Sequence, residues 1–261
     1  MIRTDKLSKI YGSKSRNPEG PEDPEDPEDL KTLHSIKAVK NLNLNIPKGE
    51  LFCFLGPNGA GKTTTIKILT GLLRASSGTV LINGIDPEKD HLSSKKIIGY
   101  IPDMPYLYER LTTTEYFEFT GELYDIPMDS INKKLEEYFA LFGLIDYKNV
   151  LVKDLSHGLR QRLIYAATFL HDPEILFIDE PLIGLDPYTI RLIKDLLKEK
   201  AKNGMTIFLT THILALAEDI AHRIGIILRG ELVEQGTLQE LYQRHSKNNL
   251  EDIFLNLTGK Y

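Results

Sequence analysis

The chain of 261 residues has a single cysteine, Cys53. An internal disulfide is therefore excluded. The apolar run around it, Leu51-Phe52-Cys53-Phe54-Leu55, predicts a buried thiol of the kind kept in reducing compartments. No window of about eighteen uninterrupted apolar residues exists, so the sequence offers no transmembrane helix. Met1-Ile2-Arg3-Thr4-Asp5 lacks an apolar signal core, and nothing there marks the chain for secretion. An excess of positive charge is missing too, because the formal net charge is -5. No clustered basic face, the footprint expected of a nucleic-acid binder, is on offer, and nucleic acid is not an expected partner. With 41% hydrophobic and 26% charged residues and a mean hydropathy of -0.22, what remains is an ordinary globular composition long enough to bury a core.

The negative charge is local. Residues 13–33 carry Glu19, Glu22, Asp23, Glu25, Asp26, Glu28 and Asp29 against Lys14, Arg16 and Lys31, leaving the rest of the chain nearly neutral. Pro21-Glu22-Asp23, Pro24-Glu25-Asp26 and Pro27-Glu28-Asp29 repeat one tripeptide. Prolines remove backbone donors and the acids repel one another, so the stretch reads as an extended, solvated insert without a core of its own.

Elsewhere short apolar runs alternate with helical periodicities, the sign of an α/β protein with a largely parallel sheet. Residues 51–55, 175–178 and 206–210 read as buried central strands. From 111 to 170 the pattern changes: 114–124, 130–142 and 158–170 carry apolar residues at helical spacing. A mostly helical subdomain, bounded near 103 and 158, is thus inserted into a core made of 1–102 and 159–236. Residues 224–228 and 231–234 flank Arg229-Gly230, a hairpin signal, and an amphipathic helical tail follows from 237.

The strongest motif is Gly56-Pro57-Asn58-Gly59-Ala60-Gly61-Lys62-Thr63, which fits the phosphate-loop pattern G-x-x-x-x-G-K-[ST]. It follows a predicted strand and opens a predicted helix, 64–73, beginning at Thr64. Glycines let successive amides turn toward a phosphate, and the helix N-terminus adds its dipole. Lys62 is expected to reach the β- and γ-phosphates of a nucleotide, and the Thr63 hydroxyl to ligate Mg²⁺. Ile175-Leu176-Phe177-Ile178-Asp179-Glu180 is an apolar strand ending in two carboxylates. Parallel-sheet geometry sets them beside the loop, Asp179 for the Mg²⁺ shell and Glu180 to deprotonate the attacking water.

Together these residues resemble the ATPase subunits of ATP-binding cassette (ABC) transporters, and the resemblance spans nearly the whole chain. Leu155-Ser156-His157-Gly158-Leu159-Arg160-Gln161-Arg162 is similar to the family signature L-S-G-G-Q and its basic stretch, with His157 and Leu159 departing from it. The resemblance implies a dimer in which Ser156 and Gly158 complete the ATP site of a second ATPase subunit. Gly184-Leu185-Asp186 resembles the D-loop, and His212 the switch histidine that contacts the γ-phosphate. Tyr11 resembles the adenine-stacking aromatic. The implied fold is a phosphate-loop core with a mostly parallel sheet, an antiparallel β subdomain and the helical insertion. The implied cofactors are ATP and Mg²⁺, and the implied partner is a separately encoded transmembrane permease at the cytoplasmic face of the membrane.

Where many members have glutamine after Gly-Tyr-x-Pro, this chain has Asp103, which is shorter, charged and unable to donate when ionised. It is read as a coupling residue near the nucleotide. Leu107-Tyr108-Glu109-Arg110-Leu111-Thr112 and the tail 250–259 resemble an exporter branch. A soluble ABC ATPase acting on ribosomes or DNA calls for two cassettes or a long coiled coil, which the sequence does not contain. A degenerate regulatory cassette is suggested by Asp103, His157 and Leu159, and opposed by Lys62, Asp179, Glu180 and His212. The acidic insert falls between Tyr11 and Ala38 and reads as a tolerated spacer. Deleting residues 18–29 is expected to leave basal ATPase activity nearly unchanged in a phosphate-release assay; a large loss contradicts the spacer reading.

Overall fold

The computed structural model describes residues 1–12, 35–180, 182 and 185–259; the acidic repeat lies outside the described residues. The three continuous apolar runs form adjacent strands, β3 (Leu51–Leu55), β6 (Ile175–Asp179) and β7 (Thr206–Thr211), in which every residue is buried. Strands covered on both faces need no polar alternation, which is why the runs are unbroken. With β5 (Ile98–Ile101), β8 (Arg223–Leu228) and β9 (Glu231–Gly236) they make a six-stranded sheet in the order β5-β6-β7-β3-β8-β9. All pairings are parallel except β8 with β9, joined through Arg229 and Gly230 at φ 48° and 84°, as a tight hairpin requires.

A second, antiparallel sheet of β1 (Ile2–Gly12), β2 (Ser35–Ile46) and β4 (Ser77–Ile82) has the order β2-β1-β4. Tyr11 pairs with Ile36 and Gly12 with Ser35, so the strand ends flanking the insert are neighbours. Between the sheets lies α1 (Lys62–Leu69), whose Ile66 and Leu69 join a core that includes Ile2, Leu44 and Val80 from one sheet and Phe52, Phe54, Phe177 and Phe208 from the other. Phe208 is the hub, with ring centroids 5.7, 5.4 and 5.8 Å from those of Phe52, Phe54 and Phe177. Because side chains alternate along a strand, Leu51, Cys53, Leu55, Ile178, Ile207 and Leu209 belong to the core on the opposite face. Burial there pushes the Cys53 thiol pKa up, keeping it protonated.

That second core is closed by helices. α2 (His91–Ile97) precedes β5. α3 (Thr113–Leu123), α4 (Met128–Phe142) and α5 (His157–Phe169) pack on one another, and α5 also lies against β5. A reciprocal cap between Thr112 and Glu115 starts α3, and Gly143, at φ 64°, ends α4. α6 (Pro187–Lys202) and α7 (Leu214–Ile220) flank β7. Two expectations are adjusted. The helix after the phosphate loop stops at Leu69 rather than 73, because Gly71 turns at φ 72° where a Cβ would lie 2.8 Å from the Pro87 carbonyl oxygen. The tail is two helices, α8 (Leu238–His245) and α9 (Leu250–Thr258), separated by Ser246 at φ 53° and restarted by the Asn249 side chain accepting from the Asp252 amide at 2.7 Å. Among the described residues no helix is long and apolar enough to cross a membrane.

Candidate phosphate-binding and catalytic site

The loop between β3 and α1 is squeezed between two other stretches of backbone. A Cβ on Gly56 would lie 2.4 Å from the Ile227 carbonyl oxygen, and one on Gly61, at φ 108°, only 2.2 Å from that of Ala38. Both glycines are therefore required by packing, Gly61 also by its left-handed backbone. Further bonds fix the loop: Gly56 N–H donates to the Thr211 carbonyl (3.2 Å), Ala60 N–H to Pro57 (3.2 Å) and Gly230 N–H to Ala60 (2.9 Å). Gly61 caps α1 without a side-chain hydrogen bond, and no acid occupies the first turn. The opening amides of Lys62, Thr63 and Thr64 thus lack intrahelical acceptors and face the helix end where an anion is favoured. Pro57, Asn58, Gly59 and Thr63 are exposed, whereas Gly56, Ala60, Gly61 and Lys62 are buried.

The Lys62 ammonium donates to the carbonyls of Gly56 (2.8 Å) and Pro57 (3.2 Å) and lies 3.2 Å from Glu180 Oε1. The last contact is an ion pair without hydrogen-bond alignment, since Oε1 otherwise has no partner. Glu180 Oε2 meets His212 Nδ1 at 3.0 Å, so a carboxylate only 10% exposed is held between a cation and an imidazole. The Glu180 backbone is left-handed at φ 52°, with its N–H donating to the Thr210 carbonyl at 3.1 Å. Asp179 is buried and accepts the Thr210 hydroxyl at Oδ1. The ends of β3, β6 and β7 thereby bring Lys62, Asp179, Glu180 and His212 into one place.

Asp103 belongs to the same field. Partial burial raises its pKa from the ordinary aspartate value, with the negative Asp179 and Glu180 adding to the effect and His212 opposing it. Tyr100, pushed up to about 12 by burial and then by Asp179 and Asp103, lies in the same field. Among the described residues no group of three or more His, Cys, Asp and Glu forms a metal cage. A hydroxyl at Thr63 and a carboxylate at Asp179 instead suit a Mg²⁺ ion that keeps waters and takes nucleotide oxygens, so the donor set fits that cation.

Ser156, Gly158 and Asp186 form a separate cluster. Ser156 caps α5, accepting from the Leu159 amide at 3.3 Å. A Cβ on Gly158 would have Asp186 Oδ2 as its neighbour at 3.8 Å. Asp186 caps α6, accepts from Thr189 N–H at 3.0 Å, and pairs with Arg162 at 3.3 Å. Tyr11 stands 41% exposed near the end of β1, with the Lys9 ammonium 5.3 Å from its ring centroid. Arg162 and Thr210 had no assigned role in the sequence reading; a threonine inside an apolar strand was the available signal for Thr210.

A phosphate loop under a parallel sheet, with two carboxylates at the end of a neighbouring strand, defines a nucleoside-triphosphatase cassette. The sequence pattern of the ABC transporter family matches residues 39–183, and the chain belongs to that family. It is 39% identical over 206 residues to an uncharacterized ABC transporter ATP-binding protein of Nostoc sp., covering 78% of this chain but only 61% of that protein's length. It is 34% identical to the linearmycin resistance ATP-binding protein LnrL of Bacillus subtilis, over 94% of this chain and 71% of the relative. A dimeric ATP-binding cassette solved in a post-hydrolysis state with ADP and Pi superimposes with a TM-score of 0.76 at 27% identity, covering 91% of this chain and 99% of that one.

Donation from the Thr189 hydroxyl and amide, with Arg162 adding to them, holds the Asp186 carboxyl down to about 2. A carboxyl lower in the folded than in the unfolded chain stabilises the fold above its unfolded value, and that contribution disappears as pH falls through the folded one. The stability advantage of the parent over Asp186→Asn, read by urea unfolding, is therefore expected to shrink as pH drops from about 4 toward about 2.

Proposed function

We propose that this chain binds ATP with Mg²⁺ and hydrolyses it as the ATP-binding subunit of a transporter, closing on a second ATPase subunit to drive a separately encoded membrane permease. The observation that carries this reading is Glu180, held between the ammonium of Lys62 and the imidazole of His212. Phosphate oxygens would draw the lysine away from Glu180 Oε1, freeing that oxygen to take a proton from water while His212 keeps the other oriented. Thr63 and Asp179 would hold Mg²⁺, which supplies charge neutralisation between phosphate oxygens when bound. Gly56 to Thr64 would wrap the phosphates, and Tyr11 would stack on the base.

The second subunit is supported by the place of Ser156 and Gly158 at the start of α5, beside Asp186. Their helix end gathers around Asp186 and remains available to a nucleotide held by another copy or a related chain. A membrane partner is supported by the segment that follows β5, where Met104, Tyr106 and Tyr108 are 82%, 101% and 59% exposed directly beside Asp103. Large apolar and aromatic side chains left in water next to a residue coupled to the catalytic carboxylates suit a protein surface that reports nucleotide state. The chain then sits peripherally at the cytoplasmic face, and the resistance relative favours export.

Glu180→Gln is expected to lower ATP turnover by about a hundredfold or more, the scale of a lost general base, while ATP binding survives. Phosphate release and equilibrium nucleotide binding check this; a wild-type rate in the variant overturns the assignment of Glu180.

A further inference from the structure

Thr210 stands out among the buried polar residues the proposed mechanism leaves unused. It is 0% exposed and lies in β7 between two strands, its register partners being Phe54 on β3 and Asp179 on β6. Alternation sets it on the same face as Phe208, above the aromatic cluster of Phe52, Phe54 and Phe177. An apolar side chain of the same shape, valine, would pack in that setting equally well. The hydroxyl therefore needs a reason, and its hydrogen bond runs to one group, Oδ1 of Asp179.

We infer that Thr210 is a positioning residue for the metal-side carboxylate, its hydroxyl fixing the plane in which Asp179 presents Oδ2 to Mg²⁺. The inference rests on the proposed ATPase reading and deepens it. Rotation about χ2 of an aspartate is broad and poorly determined by packing alone. The χ1 of a β-branched residue in a central strand is stiff, so Thr210 supplies a donor of fixed direction. Donation to Oδ1 commits one edge of the carboxylate to the sheet and leaves the other for the cation. The same residue's carbonyl accepts the Glu180 N–H at 3.1 Å, which pins the left-handed turn carrying the catalytic base. One residue of β7 thus aligns both carboxylates, through its side chain for Asp179 and its main chain for Glu180. Only the first is removable by substitution.

The test compares Thr210→Val, which keeps the shape, with Thr210→Ser, which keeps the hydroxyl, each in the full chain carrying Glu180→Gln so that ATP is not consumed. ATP binding is titrated calorimetrically in Mg²⁺ and in EDTA, alongside the melting temperature. Thr210→Val is expected to lose about tenfold of the affinity gained from Mg²⁺, with the EDTA affinity unchanged, and Thr210→Ser to restore it. Equal Mg²⁺ gains in the parent and in Thr210→Val overturn the inference while leaving the ATPase reading intact. So does a parallel loss in Mg²⁺ and EDTA, which marks a packing effect. A parent chain that binds no ATP under either condition overturns both.

Discussion

The phosphate loop is shaped by contact with backbone that does not belong to it. Ala38 on β2 and Ile227 on β8 press their carbonyls against Gly61 and Gly56 at distances that leave no room for a side chain. The loop's form is thus a consequence of how the antiparallel sheet and the far side of the parallel sheet meet around α1. A second layer of bonds reinforces this, with Gly230 of the β8–β9 hairpin donating to Ala60 and accepting from Lys40. Elements remote in sequence thereby set the direction of the amides at the start of α1, the amides that a bound phosphate would meet.

From that constraint the rest of the site follows by strand adjacency. β3 ends in the loop, β7 lies beside β3, and β6 lies beside β7. Lys62, His212 and the Asp179-Glu180 pair therefore emerge at the ends of three neighbouring parallel strands, the position where open α/β sheets present their ligands. The aromatic core around Phe208 supports this edge from below, and Thr210 continues the same face into the polar region. The left-handed backbone at Glu180 turns the chain sharply enough for its carboxylate to reach back toward Lys62.

Legibility in the sequence followed the range of the interactions. The phosphate loop and the strands at 51–55, 175–178 and 206–210 were readable because their requirements, glycine at fixed spacing and burial on both faces, are local. The antiparallel sheet was foreseen through family resemblance alone. β1 pairs with β2 through register shifts between Thr4 and Leu7 and again before Lys9 and Ile10, so its hydrophobic alternation is broken, and β5 is only four residues long. The break in the tail at Ser246 carries neither glycine nor proline. Thr210 offers only a weak signal in the sequence, a threonine in an apolar strand, because its meaning depends on a partner thirty-one positions away. Asp103 was singled out as a departure from the family pattern, and the charges that surround it come from two other segments, the end of β6 and the residue after β7.

The proposed nucleotide site depends on Gly61, which adopts against the Ala38 carbonyl a backbone conformation that a residue with a side chain does not tolerate. Gly61→Ala tests it most directly, with ATP binding measured by calorimetry and folding followed by circular dichroism on the same sample. The expected result is a folded protein without measurable ATP binding, because the added methyl displaces the loop from β2 and turns its amides away. A folded Gly61→Ala protein that binds ATP with the parent affinity would contradict it.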